Sequence, residues 1–150
     1  MENPMNTENN DSIELLKECD AGTKMAISSL DDVLDYVNDP NMKQALTESK
    51  DHHDKLKNEI TDQLIQRNSE EKEPNPLAKS MSWLKANIKM ELDGSDAAIA
   101  DLITDGCDMG IKSLHKYLNQ YRAADQEAKD FCSRLIVIEE QLRQTMQAYL

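Results

Sequence analysis

Between Pro40 and Arg67, Met42, Leu46, Ser49, His53, Leu56, Ile60 and Leu64 recur at intervals of three or four residues. That spacing lays one stripe along an α-helix and does not suit the alternation of a strand. Three more stretches carry the same period. From about Ser12 to Asn38 the stripe is Ile13, Leu16, Cys19, Thr23, Ala26, Ile27, Leu30, Leu34 and Val37. From Ser95 to Tyr121 it holds Ile99, Leu102, Ile103, Met109, Ile111, Leu114, Tyr117 and Leu118. After Asp125 come Ala128, Phe131, Leu135, Ile138, Leu142 and Met146, with Tyr149 near the end. Each stripe buries itself only against the others, so the expected fold is an all-α bundle of four helices. With Phe and Trp once each and only four Gly and four Pro in 150 residues, the composition suits long helices and suits a β-sandwich poorly.

The residues between the stripes read as starts and stops. Asp11 and Glu14 fit a capping box, Asp39 can cap a helix that Pro40 opens, and Ser95 and Asp125 can cap the last two. The turn Asn38-Asp39-Pro40 is short, which makes the first two helices an antiparallel hairpin. The link from Asn68 to Gly94 is far longer. It opens with the charged run Asn68–Asn75 and continues into a short helix expected from Pro76 to Leu92, carrying Leu77, Met81, Trp83, Leu84, Ile88 and Met90. A link of that length returns along the bundle, so helices two and three are expected to run parallel, with one long crossover joining two hairpins. A faint internal echo agrees with two joined halves. Gly22, Met25, Ile27, Ser29, Leu30 and Leu34 match Gly106, Met109, Ile111, Ser113, Leu114 and Leu118 at one fixed offset.

The net charge of −12 argues against nucleic acid and against an anionic membrane as partners. No apolar run approaches the roughly 20 residues of a membrane span. The polar stretch Met1–Asp11 lacks the pattern of a secretory signal and reads as a disordered tail ahead of a single domain over 12–150, which makes a cytoplasmic location the expectation. Cys19, Cys107 and Cys132 are odd in number and widely spaced, with no Cys-x-x-Cys, and read as buried reduced thiols.

The segments Glu18-Cys-Asp-Ala-Gly-Thr-Lys, Asp39-Pro-Asn-Met-Lys, Trp83-Leu-Lys-Ala and Ser95-Asp-Ala-Ala-Ile occur in an order and spacing covering roughly Ile13 to Met146. In this the chain resembles a bacterial family of ferritin-like four-helix bundles of unknown function. The resemblance implies the ferritin-like fold and little in the way of activity.

Ferritin-like bundles often hold iron or manganese through inward Glu residues and Glu-x-x-His pairs. No Glu-x-x-His occurs here; Glu48 and His52 are one residue too far apart, and the last helix has no histidine. A complete di-metal centre is not expected. The one metal constellation the chain offers is a partial site of Glu18, Glu48 and His52, for iron, manganese or zinc, against the plainer reading that both carboxylates reach solvent. His53 falls on the apolar stripe and reads as a neutral, hydrogen-bonded core histidine; His115 reads as exposed. Asp101, Asp105 and Asp108 form one acidic side of the third helix and read as a solvated face. No phosphate loop or Gly-x-Ser-x-Gly elbow is present. No catalytic residue and no cofactor is therefore assigned. The expected function is a non-catalytic bundle acting through protein contacts or self-association as a homo-oligomer, with Lys79, Lys85 and Lys89 making the short helix the basic part of an acidic chain. The alternative is a divergent metal-binding or redox bundle.

Overall fold

The computed structural model describes residues 4–72 and 95–150. Among the described residues there are four α-helices and no strand: α1 (Pro4–Leu34), α2 (Pro40–Gln66), α3 (Asp96–Gln120) and α4 (Gln126–Met146), followed by a 3-10 turn at Gln147–Tyr149. The short helix expected over 76–92, with Trp83 and its three lysines, lies outside the described residues.

The helix starts follow the local chemistry. The Asp39 carboxylate accepts from the backbone N–H groups of Asn41 (2.8 Å) and Met42 (2.9 Å), and Pro40 fills the first position, where no N–H is needed. Ser95 Oγ accepts from Ala98 N at 3.2 Å, and Asp125 accepts from Ala128 N at 2.9 Å. At the end of α2, Asn68 takes a left-handed conformation (φ 57°). Asn68 N and Ser69 N then donate back to the carbonyls of Ile65 (3.0 Å) and Leu64 (2.8 Å). These two bonds close the helix C-terminus, and Asn tolerates the required backbone better than most residues.

α1 departs from the expectation. It begins at Pro4, so Pro4–Asp11 is helical where a disordered tail was expected, and it ends at Leu34 instead of near Asn38. Asp11 is not a cap. Its carboxylate accepts from Ala123 N at 2.9 Å, while Ser12 Oγ donates to Glu8 O (2.7 Å) and accepts from Asp125 N (2.8 Å). Both side chains satisfy backbone donors of the α3–α4 turn, a tertiary use that draws this polar stretch onto the bundle.

Helix directions follow from the two ends. At one end Asp96 accepts from Asn38 N (2.8 Å) and Asp39 N (2.9 Å), which places the start of α3 beside the α1–α2 turn. At the other, Arg67 holds Asp125 at 2.7 Å, joining the end of α2 to the start of α4. Thus α1 and α4 run one way and α2 and α3 the other, so α2 and α3 are parallel.

The interior divides into two apolar clusters. Near the α1–α2 turn lie Leu30, Val33, Val37, Met42, Leu46, Ile99, Ile103, Leu142 and Met146. Near the opposite end lie Leu15, Leu16, Cys19, Leu56, Ile60, Leu64, Leu114, Phe131, Cys132 and Leu135. Burying a Leu- or Ile-sized side chain is worth about 1.5–3 kcal/mol, so these clusters supply the main drive for assembly. The internal echo has a structural counterpart: Leu30 and Leu114 are both buried, Met25 and Met109 both exposed, and the Ile, Ser and second Leu pairs all half-buried.

Candidate functional site

Every residue of the stripe read on α2, from Met42 to Leu64, is buried. Its two polar members, Ser49 and His53, fall between the apolar clusters. His53 is 0 % exposed. Its Nδ1 lies 2.7 Å from the Ser49 carbonyl oxygen one turn earlier. A carbonyl only accepts, so Nδ1 carries a hydrogen. Nε2 lies 2.8 Å from Glu139 Oε1 on α4, and one further proton occupies that bond. Both ring nitrogens are engaged.

Glu139 is 8 % exposed and was not on the stripe read for α4, which ran through Ile138. The buried face is wider than that stripe: Cys132, Ile136 and Glu139 add a second row at intervals of four and three. The signal was present as a carboxylate in line with Cys132 and Ile136, but only an imidazole on another helix explains it. α3 contributes two features. A Cβ placed on Gly110 would lie 3.8 Å from Glu139 Cδ and Oε2, ordinary van der Waals contact, so α3 passes close to the carboxylate without crowding it. Cys107 is buried beside the same carboxylate. Burial pushes its thiol well up, and the charge of Glu139 and a hydrogen bond to it push the same way.

A second polar group lies on α1. Asp20 is 0 % exposed; its Oδ2 accepts from Lys72 N and pairs with Lys24 Nζ, each at 3.0 Å. Its Oδ1 has no hydrogen-bond partner. Burial raises its pKa, and the bonds from Lys24 and Lys72 offset this only in part. Lys24 Nζ also reaches Glu71 at 3.2 Å, and Lys72 Nζ binds Glu18.

The three proposed metal ligands are thus dispersed. Glu18 is engaged by Lys72. Glu48 is exposed and accepts from Gln44 Nε2 at 3.1 Å, and His52 is exposed beside it. The imidazole that the bundle buries is His53, one position on. Among the described residues, no group of three or more His, Cys, Asp and Glu is arranged to hold a metal ion. Asp101, Asp105 and Asp108 are exposed, with Asp108 paired to Arg143 at 2.9 Å, and His115 is exposed. Cys19, Cys107 and Cys132 are buried and free. Among the described residues no helix is long and apolar enough to cross a membrane.

The chemistry of this centre is one proton held between an imidazole and a carboxylate, in a dry interior, with a thiol alongside. Compared with protein-family models, with curated proteins and with solved structures, the chain matches none.

Proposed function

We propose that the protein is a ferritin-like bundle of the non-catalytic kind, located in the cytoplasm, which acts through contacts of its outer surface and first of all through self-association. The observation that carries this reading is the His53–Glu139 bond. At mid-bundle, where a ferritin-like protein would present ligands, the imidazole and carboxylate here satisfy each other and Ser49 fixes the ring from behind. Such a buried pair sets which face of α2 meets which face of α4, a structural role. The antiparallel hairpins with parallel α2 and α3 support the fold assignment. Three unpaired cysteines are in keeping with a reducing compartment.

Light scattering over a wide concentration range tests the reading, with elemental analysis of untagged protein after incubation with ferrous iron. The expected result is a dimer or larger species and no stoichiometric metal. A strict monomer at the highest concentration would remove self-association. Iron, manganese or zinc near one per chain would replace the reading with a metal-binding or redox bundle.

A further inference from the structure

α1 and α4 lie side by side in the same direction, and two pairs of residues set their register. Ser12 Oγ accepts from Asp125 N, residues 113 apart in the chain. Gly22 faces Leu135 at the same separation, and a Cβ on Gly22 would lie 3.7 Å from Leu135 Cδ2. Cys19 and Cys132 share that separation and sit between the two pairs, two helical turns past the first and one turn short of the second. The register therefore places the two thiols opposite each other on the α1–α4 seam, and both are 0 % exposed. Cys132 Sγ donates to the Leu114 carbonyl at 3.8 Å.

We propose that Cys19 and Cys132 are a redox pair that a hydroperoxide converts into an intramolecular disulfide joining α1 to α4. Opening of the seam lets a thiol ionise in water, and Cys132 on α4 is the attacking sulfur. Its sulfur attacks one peroxide oxygen, the O–O bond breaks, and a sulfenic acid and one water result. The Cys19 sulfur then attacks the Cys132 sulfur. The S–O bond breaks, and the leaving hydroxide takes the Cys19 proton as a second water. Two thiols lose two electrons and one hydrogen peroxide becomes two waters. Because the seam is closed, the first step belongs to molecules in which α1 has lifted from α4, and the register brings the sulfurs together again on closing. Cys107 lies on α3, outside this seam, and its neighbour is Glu139.

The test treats the full chain with hydrogen peroxide, with and without urea below the unfolding midpoint. The protein is then denatured, alkylated and weighed intact. The expected product is two hydrogens lighter and carries one alkyl group, on Cys107, and digestion yields a peptide linking Cys19 to Cys132. Cys107→Ala keeps the Cys19–Cys132 link and takes up no alkyl group after oxidation, whereas Cys19→Ala leaves a sulfenic acid on Cys132 that dimedone captures. The oxidised protein melts roughly 5–15 °C higher than the reduced form. Three alkylated thiols under both conditions, or a disulfide that includes Cys107, would overturn the proposal.

Discussion

Removing either partner of the His53–Glu139 bond strands the other in a dry interior. Glu139→Ala or His53→Ala is expected to cost about 3–5 kcal/mol, because the survivor keeps its desolvation cost and loses its partner. The double change His53→Leu with Glu139→Leu recovers most of that loss, and a urea double-mutant cycle measures the coupling. Gly110 sits next to the same carboxylate, yet a methyl there meets only ordinary van der Waals contact. Gly110→Ala is therefore expected to stabilise by about 0.5–1 kcal/mol, the helix-propensity gain. Asp20 makes a pH-dependent contribution. Its folded pKa is raised by burial, so the folded state holds its proton more tightly. Its contribution to stability falls as pH rises from about 3.9, the unfolded value, through the folded value. Asp20→Asn removes this dependence, so its stability at pH 7 relative to pH 4 exceeds that of the parent in paired denaturant titrations.

At the level of elements, the four helices are joined through their caps as much as through their apolar faces. Asp125 opens α4 and at the same time receives Arg67 from the end of α2. Burial by itself would raise its pKa; the Arg67 guanidinium and the Ala128 N–H outweigh it and hold the carboxyl below the usual range. A lowered folded pKa stabilises above the unfolded value and is lost as pH falls through the folded one. Arg67→Met therefore moves the acid-unfolding midpoint, followed by circular dichroism, to higher pH. Asp125→Ala loses the cap as well and costs about 1–2 kcal/mol at neutral pH. The cap residues Asp39, Ser95 and Asp125 were legible because capping is local: the acceptor and its N–H groups lie within four residues. Asp11 misled for the opposite reason. Its partner, Ala123, is 112 residues away, and nothing near Asp11 announces it.

The whole molecule carries 29 acidic against 17 basic side chains, so it repels itself. Exposed pairs such as Glu59–Arg134 and Asp108–Arg143 contribute little and are screened by salt along with the repulsion. With acids in such excess, relief of repulsion wins. The melting temperature is expected to rise by a few degrees between roughly 10 mM and 0.5 M sodium chloride, where the Debye length falls from about 30 Å to a few ångströms. A fall would mean that the surface pairs contribute more than their exposure suggests.

What the amino-acid order determined by itself is everything that depends on the helical repeat and on neighbours within a turn. That includes the all-α class, the seven-residue buried stripe of α2, the caps of α2, α3 and α4, and the burial of His53 and the three thiols. The length of the link after α2 also allowed the parallel sense of α2 and α3. Tertiary structure alone decided that Glu139 turns inward, that Asp20 is buried, that α1 starts at Pro4, and that Cys19 lies opposite Cys132. Each of these is fixed by a group on another helix, and a repeat of 3.6 residues says which face turns inward but not which side chain waits across the interface.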